Sequence, residues 1–255
     1  GGGVGMSGAI RLAAEAALRA GAGLVQVATH PENVEQVMKG RAEIMCLGIT
    51  NPDDLNVLVN RADAVVLGPG LGNDGWAKGV WQQIMDSNWQ RMVLDADGLN
   101  FLAQAPRVGG AKQDNWILTP HPGEAARLLS PFEGKEMSTA RIQAERLKHA
   151  TNLAECYEGI VVLKGAGSLV AAPHSAYITS VCDFGNPGMA TAGMGDVLSG
   201  IIGALCAQGN VMVDAACAGV LLHALAGDDA AAQGQRGTLA GDLMPYIRKW
   251  ANTTS

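Results

Sequence analysis

The sequence contains few aromatic and few charged residues, and this scarcity excludes several classes of protein. Phe, Tyr and Trp make up 4% of the 255 residues, and Asp, Glu, Lys and Arg make up 16%. The 18 Lys and Arg residues are outnumbered by 24 Asp and Glu residues, which gives a net charge of −6. Nucleic-acid-binding domains carry a clustered basic face, so we predict no nucleic-acid partner. Any phosphate that the protein binds must be held by a few local groups.

Long apolar runs are also missing. A transmembrane helix needs about 20 consecutive apolar residues, whereas Asp196, Asp214 and His223 interrupt the late hydrophobic segments. We therefore predict no membrane partner. The cysteines are odd in number and include no C-x-x-C pair, which is typical of reduced thiols in a cytoplasmic protein rather than of disulfides or zinc ligands. They are Cys46, Cys156, Cys182, Cys206 and Cys217.

What the sequence does contain is apolar segments of two alternating kinds. Short β-like runs alternate with longer runs of helical periodicity, which is the pattern of βαβ units around a parallel sheet. Strands are predicted near residues 24–28, 44–47, 64–67, 91–94, 116–118 and 160–163. Helices between them are predicted to begin near Gly8, Pro31, Pro52, Gly75, Gly98 and Gly123. We predict an α/β fold in which residues 1–255 form a single domain.

The pattern changes after residue 163. Two short strands at residues 169–171 and 176–179 flank a turn at Pro173 and His174, which predicts an antiparallel edge of the sheet. Three helices follow, and His223 lies in a largely apolar one, so we predict a packed side chain rather than a catalytic one. Residues 1–3 directly precede a predicted helix, so we expect the usual first strand of a parallel fold to be absent from this chain.

The strongest functional motif is GNPGMATAGMGD at residues 185–196, which precedes an apolar helical run. Glycines let the backbone approach an anion closely, and the free N–H groups at the start of the helix would hold phosphate oxygens. The predicted anion hole consists of Ala192, Gly193, Met194 and Gly195. Asp196 follows in the first helical turn, where it is predicted to be the general base of a phosphoryl transfer. The alternative is that Asp196 only complements the helix dipole.

Two further glycine-rich loops follow predicted strands. GPGLG at residues 68–72 turns at the C-terminal edge of the sheet, where open α/β sheets bind ligands. A tight turn without a ligand is the alternative there. KGAGS at residues 164–168 could curl around a nucleotide, although it lacks the residue order of a P-loop, and a plain hairpin turn is its alternative.

Ionisable side chains follow two more predicted strands. In TPHPGE at residues 119–124, two prolines fix His121 and Glu124 at the sheet edge. His121 could hydrogen-bond a polar substrate, and Glu124 could orient Mg²⁺ through water or serve only as a helix-dipole partner. In DADGLN at residues 95–100, Asp95 and Asp97 either line the site or cap the next helix.

These five motifs, together with SGAI at residues 7–10, occur in the order found in the NAD(P)H-hydrate dehydratase family. The chain resembles this family over nearly its whole length. The resemblance implies a ribokinase-like fold, with three layers in αβα order and a mostly parallel central sheet. It also implies ADP as co-substrate, as in bacterial members, and a fused or separate epimerase as partner. We expect a homo-oligomer, such as a tetramer.

The resemblance also assigns residues to ligands. Ala9, Gly70, His121 and Asp196 would contact the hydrated nicotinamide cofactor. The adenine nucleotide would be contacted by Lys164, Gly165, Ala166, Gly167, Ser168 and Gly195. The sequence departs from the family at its start, where the first strand with its basic, glycine-containing lead-in is absent, and no upstream epimerase domain is visible.

The implied reaction removes water from the hydrated cofactor in two steps. Hydroxide is a poor leaving group because the pKa of water is about 15.7, whereas phosphate leaves as an ion whose second pKa is about 6. ADP-dependent phosphorylation of the C6 hydroxyl would therefore prepare its elimination, with Mg²⁺ neutralising the phosphates. One alternative is a vitamin kinase of the same fold, such as a hydroxymethylpyrimidine or thiazole kinase. An alternative of another class is a non-catalytic nucleotide sensor.

Overall fold

The computed structural model describes residues 1–105, 115–174 and 178–252, over which strands and helices alternate. The strands are β1 (Val25–Thr29), β2 (Ile44–Gly48), β3 (Val65–Leu67), β4 (Met92–Leu94), β5 (Trp116–Leu118), β6 (Ile160–Leu163), β7 (Ser168–Ala171) and β8 (Ser180–Cys182). The α-helices are α1 (Ser7–Arg19), α2 (Val34–Met38), α3 (Leu55–Val59), α4 (Gly75–Asp86), α5 (Ala96–Gln104), α6 (Pro122–Glu133), α7 (Thr139–Ala144), α8 (Arg146–Tyr157), α9 (Met194–Ala207), α10 (Met212–Ala230) and α11 (Met244–Trp250). Short 3₁₀ helices are Pro31–Asn33, Pro52–Asp54, Pro187–Met189, Ala231–Gln233 and Ala240–Leu243.

The strands form two sheets. The larger sheet has the order β3-β4-β5-β6-β7-β8. Its first four strands are parallel, and β7 and β8 are antiparallel additions at one edge. This order confirms the predicted mostly parallel sheet with an antiparallel edge. The strands β1 and β2 pair in parallel with each other and form a separate two-stranded sheet.

The first residues of the chain lie between these two sheets. The Gly2 N–H donates to Pro69 O at 3.0 Å, on the loop after β3. On the other side, the His30 N–H donates to Gly2 O at 3.1 Å, just after β1. The segment therefore bonds to both neighbours and connects the end of β1 to the loop after β3.

Neighbouring residues of the central strands face two different hydrophobic cores. Met92 and Leu94 of β4 pack in one core with residues of α3 to α8, whereas Val93 packs in another with α9 and α10. All three side chains are fully buried. Successive side chains of a strand point to opposite faces, so this division places helices on both faces of the sheet and confirms the three-layer arrangement.

The helices α1 and α9 approach each other closely because small residues line their contact. A Cβ placed on Gly200 would lie 2.1 Å from Ala13 O. The side chain of Leu12 similarly occupies the space beside Gly193, where a Cβ would lie 2.6 Å from Leu12 Cδ1. This close packing fixes the start of α9 relative to α1.

Two predictions about local structure were wrong or incomplete. The last edge strand is Ser180–Cys182 and not residues 176–179, of which 176 and 177 lie outside the described residues. Its position is set by pairing with β7, where Ser180 lies opposite Val170. The helices α7 and α8 were not predicted separately from α6, although Ser138 caps α7 by accepting a hydrogen bond from the Arg141 N–H at 3.2 Å.

The cysteine thiols and the lengths of the helices are both described by the structure. All five cysteines are free, in agreement with the expected reduced thiols. Burial raises the pKa of Cys206 to about 12, which keeps this thiol protonated at neutral pH. Within the described ranges, every helix is too short or too polar to cross a membrane.

Candidate functional site

The C-terminal ends of β4, β5 and β6 bring three ionisable side chains together. Lys164 Nζ, after β6, lies 2.6 Å from Asp95 Oδ1, after β4, and 3.8 Å from Glu124 Oε2, after β5. Asp95 is 1% exposed. Burial by itself lowers the pKa of Lys164, but the negative charges of Asp95 and Glu124 outweigh it and leave this pKa raised. Lys164 is therefore a fixed positive charge at the sheet edge, and Asp95 lines the site rather than capping α5.

The glycine-rich motif places the start of α9 beside that charge. Gly193 is the N-cap residue, with a φ of 89° in the left-handed region that favours glycine. A Cβ on Gly195 would lie 3.1 Å from Lys164 Nζ and 3.7 Å from Asp95 Oδ2. The first turn of a helix has free N–H groups, and here they lie next to an ammonium group. This combination suits a phosphate group.

Asp196 is a half-buried carboxylate in the same helical turn. Burial raises its pKa to about 6, the negative charges of Asp95 and Asp97 add to the rise, and Lys164 opposes it. Such a carboxylate is ionised at neutral pH and remains basic enough to accept a proton from a hydroxyl group. A charge at this position also complements the helix dipole, so the two interpretations of Asp196 are compatible.

His121 and Glu124 form a reciprocal cap at the start of α6. His121 Nδ1 accepts hydrogen bonds from the Gly123 and Glu124 N–H groups at 3.0 and 3.3 Å. Glu124 Oε2 accepts one from the His121 N–H at 2.7 Å. Burial and the charges of Lys164 and Arg127 lower the pKa of His121. The ring is therefore neutral, with its proton on Nε2, and can donate a hydrogen bond.

The contacts of Glu124 also indicate whether it is placed to bind magnesium. Burial raises its pKa to about 7, against the lowering effect of Lys164. One carboxylate oxygen accepts from the His121 N–H, and this geometry favours the capping alternative. No group of three or more His, Cys, Asp or Glu side chains is placed to hold a metal within the part of the chain that the structure describes. A Mg²⁺ ion here would need oxygen ligands from a bound nucleotide.

The GPGLG loop contacts the start of α1. Gly70 has a φ of 56°, and a Cβ there would lie 2.8 Å from Met6 O and 3.0 Å from Ala9 Cβ. The two predicted substrate contacts Ala9 and Gly70 are therefore adjacent. The Gly72 N–H donates to Asp97 Oδ2 at 2.8 Å, so Asp97 holds this loop against the start of α5.

The KGAGS segment forms the turn of the β6–β7 hairpin. Gly165 and Gly167 adopt φ values of 144° and 66°. Arg146 secures the turn, because its Nη2 donates to Leu163 O at 3.2 Å and its Nη1 donates to Ala166 O. Sequence reasoning missed Arg146, which begins a helix that carries no recognised motif.

Residues of α10 support the glycine-rich motif and were not assigned this role from the sequence. Asp228 accepts hydrogen bonds from the Gly185 N–H and from Asn186 Nδ2, both at 2.9 Å. Burial lowers the pKa of His223 to about 4, and a hydrogen bond with the Met194 backbone acts in the opposite direction. His223 is thus a neutral side chain packed behind the start of α9, which agrees with the prediction of a packed histidine.

Comparison with known families supports the resemblance drawn from the motifs. The family model described as NAD(P)H-hydrate dehydratase matches residues 1–249. The bifunctional NAD(P)H-hydrate repair enzyme of Coxiella burnetii is 49% identical over 253 residues, covering 99% of this chain and 49% of that protein. The ADP-dependent (S)-NAD(P)H-hydrate dehydratase of Neisseria meningitidis is 40% identical over 256 residues, covering 97% of this chain and 82% of that protein. The chain therefore spans about half the length of its bifunctional relatives.

Solved structures show a similar fold. A ribokinase-like superfamily protein from Enterococcus faecalis superposes with a TM-score of 0.87 at 27% identity, covering 98% of this chain and 84% of the other. The ADP/ATP-dependent NAD(P)H-hydrate dehydratase of Bacillus subtilis, co-crystallised with ATP/Mg²⁺, gives a TM-score of 0.83 at 24% identity, covering 98% and 86%. The fold is therefore ribokinase-like, and the chain belongs to the NAD(P)H-hydrate dehydratase family.

Proposed function

We propose that this chain dehydrates (S)-NADH hydrate and (S)-NADPH hydrate in an ADP-dependent reaction that yields AMP and phosphate. The observation that carries the proposal is the position of Asp196. Its carboxylate, with a pKa of about 6, lies in the first turn of a helix whose free N–H groups adjoin Lys164. A general base, an anion hole and a fixed cation are the groups that a phosphoryl transfer from ADP requires.

In the first step, Asp196 would accept the proton of the C6 hydroxyl as this oxygen attacks the β-phosphorus of ADP. The bond between that phosphorus and the bridging oxygen breaks, and AMP leaves. The N–H groups of Ala192 to Gly195 and the Lys164 ammonium group would stabilise the negative charge on the transferred phosphoryl group. Because these groups are in place before the reaction, no reorganisation is needed as the charge develops.

In the second step, the lone pair of the ring nitrogen would expel the phosphate from C6, and transfer of a C5 proton to water would restore the dihydronicotinamide. Phosphate is a far better leaving group than hydroxide. We assign contacts with the hydrated ring to His121, whose Nε2 lies 3.4 Å from Glu124 Oε1 and would turn its N–H toward the substrate, and to the adjacent pair Ala9 and Gly70. The turn from Gly165 to Ser168 would contact the adenine nucleotide.

Magnesium enters this proposal together with the nucleotide. Mg²⁺ is commonly held by substrate phosphates and one or two carboxylates, with water completing its shell. Glu124 in its ionised form would contribute through such a water, and the ion would neutralise phosphate charge. We further propose a fused or separate epimerase as partner, a homo-oligomeric assembly such as a tetramer, and a cytoplasmic location.

The experiment is to incubate the protein with (S)-NADH hydrate, ADP and Mg²⁺ and to follow the absorbance of the restored dihydronicotinamide. Equal amounts of NADH, AMP and phosphate are expected. A vitamin kinase of this fold would instead leave the hydrate unchanged and convert hydroxymethylpyrimidine or hydroxyethylthiazole to a stable phosphate ester. Nucleotide binding without either reaction would favour the sensor. The kinase substrates therefore serve as parallel assays.

A further inference from the structure

A groove of about 670 Å³ lies between α4, α5 and α6, beside the candidate site. Gly72 and Asp97 line this groove and also form the hydrogen bond that holds the GPGLG loop. The groove therefore adjoins the GPGLG loop, which contains the predicted substrate contact Gly70. Its wall contains two cations, Lys78 and Arg127, which the phosphoryl transfer does not use.

A chain of hydrogen bonds connects the GPGLG loop to Arg127. Asp97 Oδ2 accepts from the Gly72 N–H at 2.8 Å, and Asp97 Oδ1 accepts from Asn100 Nδ2 at 3.2 Å. Asn100 Oδ1 in turn accepts from Arg127 Nε at 3.0 Å. The guanidinium group is thus fixed through Nε, and among the described residues its two terminal nitrogens make no hydrogen bond. A fixed guanidinium with free terminal nitrogens suits bidentate binding of a phosphate.

The charge of Arg127 reaches the reacting end of the site. Burial is the main cause of the lowered pKa of His121, and the charge of Arg127 adds to it. Burial raises the pKa of Glu124, and the charge of Arg127 acts against this rise. Arg127 lies in α6, six residues after His121, the N-cap residue of the same helix, so about 9 Å along the helix axis separates them. A ligand that contacts His121 with one end could therefore contact Arg127 with another. The carboxylate of Asp97 is already hydrogen-bonded, whereas Glu136 of the groove wall could accept from ribose hydroxyls.

We propose that this groove binds the adenosine diphosphate half of the hydrated dinucleotide, with Arg127 and Lys78 contacting its diphosphate. The inference rests on the proposed function. The ADP co-substrate is a less suitable occupant, because its phosphates must reach the start of α9 and the hairpin turn after β6. The groove residues follow β3, β4 and β5 instead. The two ligands would approach Asp196 from different sides of the sheet edge.

The test compares two substrates with two variants. (S)-NADH hydrate carries the adenosine diphosphate half, and the hydrate of reduced nicotinamide riboside lacks both the diphosphate and the adenosine. For Arg127→Ala, KM for NADH hydrate should rise roughly tenfold or more, since a hydrogen bond to a charged group is lost, while kcat changes little. KM for ADP and kcat/KM for the riboside hydrate should stay within about twofold of wild type. For Arg127→Lys, the rise in KM for NADH hydrate should be intermediate. The matched control is Arg61→Ala, which removes an exposed positive charge that does not line the groove.

Three results would overturn the proposal. An unchanged KM for NADH hydrate would show that Arg127 does not bind the dinucleotide. An equal loss with both hydrates would place Arg127 at the reacting end, and a raised KM for ADP would assign the groove to the co-substrate. If the wild-type protein turned over neither hydrate, the proposed function would fail, and calorimetric binding of NADH to wild type and Arg127→Ala would still test the groove.

Discussion

Lys164 Nζ and Asp95 Oδ1 are 2.6 Å apart and join the ends of β4 and β6 across the intervening β5. The pair holds an ammonium group next to Gly195, where the free N–H groups of α9 begin. Asp95 also contributes to the raised pKa of Asp196. One buried carboxylate thus positions the ammonium group proposed to bind phosphate and contributes to the raised pKa of the proposed base.

Asp95→Asn should shift the pH dependence of catalysis. In the wild type, kcat/KM should rise with pH through about 6, because Asp196 must lose its proton to act as base. Removing the negative charge of Asp95 lowers the pKa of Asp196, so the acid limb should move to lower pH and the maximal rate should fall as Lys164 loses its partner. The exposed Asp53→Asn is the control for loss of one charge. An acid limb that stays in place would contradict this role of Asp95.

Asp196→Asn keeps the shape of the side chain but removes the proposed base. Turnover should fall by at least roughly 10² to 10⁴, the usual contribution of positioned proton transfer. ADP binding should survive or tighten, since backbone N–H groups hold the phosphates and a nearby negative charge is lost. Turnover and calorimetric ADP affinity should be measured on one preparation, with its thermal unfolding compared with wild type. Near-normal turnover would reject Asp196 as the base.

Glu124→Gln should change how the free energy of unfolding depends on pH. The pKa of Glu124 is raised from 4.5 to about 7 in the folded state, so the folded protein binds this proton more tightly than the unfolded chain. Wild-type stability should therefore fall as pH rises from about 4.5 to 7, and the variant should lack this part of the fall. The free energy of unfolding of the variant, relative to that of the wild type, should therefore increase by roughly 1–3 kcal/mol between pH 5 and pH 8. Urea unfolding at the two pH values measures it.

The same variant separates the two interpretations of Glu124. If it contributes to Mg²⁺ binding through water, Glu124→Gln should raise the Mg²⁺ concentration needed for half-maximal rate. If capping is its whole function, the metal titration stays as in wild type, because Gln can still accept the His121 N–H. The control for loss of one acidic side chain is Glu35→Gln in α2, because Glu35 is exposed and does not line the groove.

ADP should support turnover better than ATP. The family resemblance carried by the TPHPGE and GMGD motifs is to bacterial members, and the Neisseria relative is named as ADP-dependent. Initial rates with each nucleotide should be measured side by side at saturating Mg²⁺. A clear preference for ATP would contradict this prediction while leaving the reaction class intact.

Gly200→Ala should destabilise the protein even though Ala has the higher helix propensity. A Cβ at this position would lie 2.1 Å from Ala13 O, so α1 and α9 must move apart. The free energy of unfolding should fall by roughly 1–3 kcal/mol, as overpacking usually costs. Gly75→Ala, at the open start of α4, is the control and should be neutral or stabilising. Equal unfolding free energies for the two variants would show that the helices adapt without strain.

Short-range patterns in the sequence were sufficient for much of the fold. The alternation of apolar runs indicated the strands from β3 to β6, and the glycines before Asp196 indicated a helix start that suits phosphate. Both signals lie within a few residues of the structure that they form. The last edge strand was misplaced because β-branched residues such as Ile178 and Thr179 fit a strand locally, whereas pairing with β7 selects Ser180–Cys182.

By itself, the sequence determined the alternation of strands and helices as far as β6 and the presence of an acidic residue behind a glycine-rich loop. It left open whether Asp95 lined the site and did not indicate which side chains hold Arg127 or the turn after β6. These contacts join residues far apart along the chain, such as Asp95 and Lys164 or Asn100 and Arg127. Only the order of strands in the sheet brings them together, because parallel strands place their C-terminal ends at one common edge.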